Sequence, residues 1–241
     1  DEFKTFFPRL HNRKDASRYP LWATIYGESI EYEEKGSLQT FDKPTFKENL
    51  GFFYNYQVNW LYLRYLFWNF IGKQNSNHGL GIIKDGNWIS GINAIDKTRI
   101  GNDQIIPEHY KNEKSQNTYF FIPFILGLLG LIALRKKLHY LTFTLLLFLI
   151  FGIGLTVIIN PVPSSILVRE RDYIFIGSFI FFSIWIGISI VLLIPLLNKF
   201  LSKKTAKIVA FAMVFILSPL QMLSKGWDDH QRSHVNFAYN L

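Results

Sequence analysis

The 241-residue sequence contains no cysteine, which excludes a disulfide framework, a thiolate metal site and a cysteine nucleophile. It also lacks the glycine-rich loop that cradles phosphates, the helical histidine pair of a metalloprotease and the elbow of a serine hydrolase. No internal repeat or low-complexity tract interrupts it. Acid is the other scarcity, and it is local. Residues 1–117 hold 15 Lys or Arg against 14 Asp or Glu, whereas residues 118–241 hold 11 against 4. The apolar runs of that second half contain no Asp, Glu, Lys or Arg, which speaks against an ion-coupled transporter core.

What is abundant there is Leu, Ile and Phe. Four apolar runs occupy residues 119–134, 139–159, 173–197 and 208–223. Crossing a hydrocarbon core of about 30 Å takes about 20 helical residues. The middle two runs meet that length, while the first and last need flanking residues to complete a crossing. A soluble helix of this length would carry a polar stripe, and these do not. The expected class is therefore an α-helical membrane protein with about four transmembrane helices over residues 118–223.

The formal net charge of +8 does not point to nucleic acid. Most of the excess is Arg135, Lys136 and Lys137 together with Lys199, Lys203, Lys204 and Lys207, each cluster wedged between apolar runs. Such clusters stay on the cytoplasmic side. The connection over residues 160–172, where Arg169 and Arg171 are balanced by Glu170 and Asp172, then lies outside, as do residues 1–117 and 224–241. Pro161 and Pro163 end the second run, since proline lacks a donor and favours an extended path. Gly127, Gly130, Gly152 and Gly154 permit close helix contact or serve ordinary packing.

Residues 45–73 gather Phe52, Phe53, Tyr54, Tyr56, Trp60, Tyr62, Tyr65, Phe67, Trp68 and Phe70, interrupted by Asn55, Gln57, Asn59, Arg64 and Asn69. The stretch is too polar for a span. Tyr and Trp favour the membrane–water boundary, so it reads as amphipathic helices along the outer interface, with an aromatic core helix as the alternative. Asp85-Gly86 between short apolar pairs reads as a hairpin or tight turn. Residues 110–117 read as a polar linker.

Two constellations carry candidate chemistry. Arg169-Glu170-Arg171-Asp172-Tyr173 stands at the outer mouth of the third run. Two guanidiniums there suit a phosphate, and Glu170 or Asp172 offers a base, a cation ligand or a partner for arginine. The alternative is a self-neutralised loop anchoring the helix end. Trp227-Asp228-Asp229-His230-Gln231-Arg232 follows the fourth run on the same side. Asp228 and Asp229 beside His230 suit acid–base work or a divalent cation, the one possible cofactor, or simply cap the membrane segment. His78 lies in a polar loop and reads as solvated.

Five pieces occur in one order: Phe6-Phe7-Pro8-Arg9, residues 64–75, residues 86–91, Arg169–Tyr173 with Gly177-Ser178-Phe179, and Trp227–His230 with Arg232. Together they resemble a bacterial family of large membrane proteins, formerly of unknown function. That family is related to the eukaryotic transmembrane protein O-mannosyltransferase that modifies plexin-type receptors. The resemblance implies a multi-spanning glycosyltransferase of the C-type fold in the bacterial inner membrane. Such enzymes move a sugar from a polyprenyl-phosphate carrier to a Ser or Thr hydroxyl of an acceptor protein on the non-cytoplasmic face.

On that resemblance Arg169 and Arg171 would hold the carrier phosphate, with Tyr173, Trp227, His230 and Arg232 in support. Glu170, Asp172, Asp228 and Asp229 are candidates for positioning or acid–base roles. The principal catalytic acid would precede Asp1, in a first outer loop of a longer chain whose soluble domain would follow residue 241. The tail between Arg232 and Phe237 departs from relatives by being shorter. A non-catalytic scaffold or a subunit that binds lipid-linked glycan is the alternative.

Overall fold

The computed structural model describes residues 4–34, 36–77, 79, 81–101, 115–163 and 171–230; the side chains of residues 13–15, 32–34, 39, 41 and 228–230 fall outside that description. Strands β1 (Glu28–Glu34) and β2 (Ser37–Lys43) pair antiparallel, with Glu28 opposite Lys43 and Glu34 opposite Ser37. Gly36 takes φ +79°, a left-handed conformation in which glycine has no steric cost. The acid-rich composition of β1 conceals this hairpin from a hydropathy reading.

Helix α1 covers residues 46–70 without a break. Thr45 caps it: its hydroxyl accepts from the Glu48 N–H at 3.3 Å, and the Glu48 carboxylate accepts from the Thr45 N–H at 2.7 Å. Between Phe53 and Leu63 the turns widen to π geometry, then tighten again over Arg64–Phe70. The widened turns advance each side chain by a smaller angle than α-turns do. Tyr56, Gln57, Tyr62, Tyr65, Leu66, Trp68 and Phe70 are all buried. The stretch expected to form interfacial helices is thus one helix with a buried second half, while Phe46, Leu50 and Tyr54 remain exposed on its first half.

After α1, strand β3 (Gly72–Lys73) pairs with β4 (Asn117–Thr118). Gly72 is required there. Its φ is +148°, and a side chain would strike the carbonyl oxygens of Asn117 and Ile89. Helix α2 (Asn93–Ile100) follows the polar loop. At residues 82–89 the structure has a turn rather than a hairpin. Gly86 adopts φ +68°, and the single bridge is Lys73 to Trp88. Carboxamides do the work that a partner strand would do. The Asn75 Oδ1 accepts from the Gly86 N–H at 2.9 Å, and the Asn87 Nδ2 donates to Gln74 Oε1 at 3.0 Å and to the Ile82 carbonyl at 2.9 Å.

The apolar half folds into α3 (Ile122–Leu134), α4 (Leu138–Ile159), α5 (Asp172–Leu197) and α6 (Lys203–Trp227). The last three, of 22, 26 and 25 residues, are long and apolar enough to cross a membrane. The fourth expected run gives a longer helix than its apolar core alone, because Lys203–Lys207 extend it at one end. The first gives a shorter one, of 13 residues. Tyr119 donates its N–H to the Ile71 carbonyl at 2.8 Å, and Phe120 and Phe121 take φ of 53° and 61°, so α3 starts only at Ile122.

Small residues let these helices meet. A side chain at Gly130 would collide with the Trp185 carbonyl, one at Gly127 with the Phe182 ring, and one at Gly152 with the Tyr62 ring. The core lies where α1 enters the bundle. Phe70 packs on Phe182 at 4.4 Å between ring centroids, Tyr62 on Phe175 at 5.3 Å, and Phe148 on Trp185 at 4.9 Å. The Tyr62 hydroxyl pairs with the Ser178 hydroxyl at 2.7 Å, which satisfies that buried polar tip. A second cluster, Tyr19, Phe52 and Tyr56, ties the amino-terminal segment to α1.

Candidate functional site

Arg171 stands where α5 begins, and a cavity of about 270 Å³ opens beside it between α1, α4 and α5. Tyr56, Leu61, Tyr65, Thr156, Phe175 and Arg171 line it, and Pro161 and Val162 are part of the rest of its wall. The lining is apolar apart from that arginine and a few hydroxyls, and the hydroxyls are engaged. Tyr56 donates to the Val162 carbonyl at 3.1 Å, Thr156 to the Gly152 carbonyl at 3.2 Å, and the Tyr65 hydroxyl accepts from the Arg171 N–H at 3.3 Å.

The wall at residues 160–163 is fixed from three sides. Asn160 ends α4 in the left-handed region, φ 49° and ψ 57°, and Pro161 and Pro163 cannot continue a helix. Gln57, fully buried, donates to Asn160 Oδ1 at 2.9 Å and to the Pro161 carbonyl at 2.8 Å. The amino-terminal segment supplies the rest: Asn160 Nδ2 donates to the Pro8 carbonyl at 3.0 Å and meets His11 Nδ1 at 2.9 Å. Arg9 donates to the Val157 carbonyl at 2.9 Å, at the carboxyl end of α4 where a cation is favoured, and stacks on Phe7 at 4.1 Å.

Of the residues singled out from sequence, the structure brings Arg171 into contact with Tyr65 and the cavity. Asp172 opens the first turn of α5 and is half-buried, and Tyr173 and Trp227 are exposed. Trp227 lies on the last turns of α6, which pack against β4 at the same end of the bundle. Arg169, Glu170 and Arg232 lie outside the described residues, as do the side chains of Asp228, Asp229 and His230. Among the described residues no group of three or more His, Asp or Glu is placed to hold a metal ion.

Several residues of the quoted motifs prove architectural. Arg64 is buried between Trp60, Tyr65 and Trp68, at 4.3, 4.4 and 4.6 Å from their ring centroids. It donates to the carbonyls of Trp60 and Gly86, each at 2.8 Å, and so clamps the polar loop to α1. Asp96 accepts from the N–H groups of Ser90 and Gly91, both at 2.8 Å, and holds the start of α2. Sequence reasoning missed the cavity residues Tyr56 and Tyr65 and the Gln57–Asn160 pair that fixes the cavity wall. The signal available was a lone Gln in an aromatic run and an Asn directly before a proline pair.

The fold defines the class: an α-helical chain with three candidate membrane-spanning helices and buried aromatic clusters, which indicates a multi-pass membrane protein. Comparison with protein-family models, with curated proteins and with solved structures finds no match.

Proposed function

We propose that the chain is part of a membrane glycosyltransferase that accepts a sugar from a polyprenyl-phosphate carrier and passes it to a Ser or Thr hydroxyl on the non-cytoplasmic face. The observation that carries this reading is Arg171 lining an apolar cavity, at the end of the bundle opposite both basic loops. An amphiphile with an anionic head needs that pairing of hydrocarbon wall and guanidinium, and Arg offers planar, paired donors to phosphate. Arg169, two residues earlier in sequence, would share the phosphate, and both would stabilise it as it departs.

In this reading all four apolar helices cross the bilayer, with the basic loops inside and residues 1–117 and 224–241 outside. Helix α3, about 20 Å long at about 1.5 Å per residue, completes its crossing through its flanks. The exposed stripe of Phe46, Leu50 and Tyr54 supports an outer-interface position for the first half of α1. The family resemblance on residues 6–9, 64–75, 86–91, 169–173 with 177–179, and 227–230 with Arg232 supports the sugar-transfer chemistry.

A second reading has its own support. Among the described residues no carboxylate lines the cavity. A lipid-linked-glycan binding subunit without catalysis fits that lining. One experiment tests both. The purified chain in nanodiscs should bind polyprenyl phosphate at least about tenfold more tightly than the uncharged polyprenol, and Arg171→Gln should erase the difference. Equal binding of the two lipids would sink both readings. Sugar transfer to a Ser/Thr peptide separates the enzyme from the binding subunit.

A further inference from the structure

The end of the bundle away from the cavity carries two clusters of cations. Arg135, Lys136 and Lys137 turn α3 into α4, and Lys199, Lys203, Lys204 and Lys207 border the turn from α5 into α6. All seven are exposed, and neither turn contains an acid.

The two turns stand at different heights. Gly130 rests against the Trp185 carbonyl, and Trp185 Nε1 donates to Thr144 Oγ1 at 3.0 Å, so Trp185 fixes the level of both α3 and α4. Five residues beyond Gly130, Arg135 is level with Ser189 and Ile190. Helix α5 continues to Leu197, about 10 Å further at about 1.5 Å per residue. It is braced there by the first turns of α6, where Ala206 and Ala210 are fully buried. Arg135–Lys137 therefore form a basic shelf at the foot of a post crowned by Lys199, Lys203 and Lys204.

The flank joining shelf to post is apolar and open. Leu138 is 68% exposed, Val191 59% and Phe200 85%. Cations at two heights with hydrocarbon between them do not suit a free anion, which has no use for the hydrocarbon. They do not suit nucleic acid either, which needs a continuous basic face. They suit an amphiphile with phosphate at the head and acyl chains below.

We propose that this stepped end binds an anionic phospholipid of the leaflet it faces, with the headgroup phosphates between shelf and post and the acyl chains on the flank of α5. A lipid bearing two phosphodiesters offers these clustered cations the most negative charge per headgroup. The proposal rests on the membrane-spanning part of the reading above and is independent of sugar transfer.

The test is to reconstitute the full chain in phosphatidylcholine nanodiscs doped with diphosphatidylglycerol, phosphatidylglycerol or nothing, and count retained lipids by native mass spectrometry. The two-phosphate lipid should be retained about tenfold over phosphatidylcholine, falling as salt rises. Replacing the shelf (Arg135→Gln, Lys136→Gln, Lys137→Gln) or the post (Lys199→Gln, Lys203→Gln, Lys204→Gln) should each abolish most of that preference. A shelf variant that keeps the charge, Arg135→Lys, should retain it and serves as the control for folding. Equal retention of neutral and anionic lipid, or full displacement by millimolar inorganic phosphate, would overturn the proposal. Failure of the chain to enter nanodiscs at all would instead defeat the membrane-spanning reading, and this proposal with it.

Discussion

Helix α1 carries an arginine, a glutamine and several asparagines and buries much of its length, whereas α4 carries no charge and leaves most of its apolar side chains exposed. Gln57 and Arg64 are 0% and 2% exposed; Ile158 and Phe143 are 78% and 60%. In a water-soluble protein this distribution would be costly at both ends. It becomes favourable if the surroundings of α4 are hydrocarbon. Its exposed leucines and phenylalanines then lose nothing, and contact between helices depends on shape rather than on withdrawing apolar surface from water. The polar groups of α1 are tolerated for a different reason: the Arg64 guanidinium and the Gln57 amide group donate to oxygen atoms within the chain. The donors of these two side chains and the apolar surface of α4 are thus each matched to what surrounds them, while Gln57 Oε1 and Trp68 Nε1 stay buried without a hydrogen-bond partner among the described residues.

The sharpest way to break this comparison is Gly130→Val. If shape holds the spans together, a side chain against the Trp185 carbonyl must push α3 off α5, since backbone cannot rotate away as a side-chain tip can. A loss of about 3 kcal/mol or more is expected, read as a fall in Tm and in the folded fraction in detergent. A Tm unchanged from the parent would mean that α3 does not lie on α5 in this way.

Arg64→Ala comes next and probes the other side of the comparison. It leaves the carbonyls of Trp60 and Gly86 without this donor and empties the space between three rings. A cost of about 2–4 kcal/mol is expected, together with faster proteolysis of the loop around Gly86. Arg64→Lys should recover part of the cation–ring attraction but not both hydrogen bonds, because an ammonium lacks the guanidinium's fork. If Ala and Lys prove equivalent to the parent, the buried cation does not hold the loop.

How much of this was legible in sequence follows the same division. The long spans were legible because their runs are charge-free and two of them are of crossing length, a property of composition alone. The start of α3 was not, because Tyr119 and Phe120 are held out of the helix by N–H bonds to the carbonyls of Ile71 and Ser90, far earlier in the chain. The burial of α1 was not legible either, since aromatic residues mixed with amides look alike at an interface and in a core. Arg171 could be picked out from its neighbours in sequence. Its cavity could not, because Gln57 meets Asn160 across 103 positions and Tyr65 meets Arg171 across 106.

The smallest expected effect concerns Glu48, on the water-facing side of the comparison. Partial burial alone would raise its pKa, but hydrogen bonds from the N–H groups of Tyr26, Gly27 and Thr45 and from the Thr45 hydroxyl outweigh it and bring the value to about 2. A carboxylate depressed in the folded state stabilises above its unfolded value near 4.5, and that contribution disappears as pH falls through about 2. Because the group is partly exposed, solvent screening keeps the contribution to less than about 1 kcal/mol. Glu48→Gln should therefore lower Tm slightly at pH 6, with the gap to the parent closing between pH 4.5 and 2. Helix α4 carries no carboxylate and α5 only Asp172 at its first residue, so any acid-induced loss in this window should begin at the hairpin and the start of α1. Hydrogen exchange at pH 3 that opened α4 or α5 before Tyr26, Gly27 and Thr45 would refute that order.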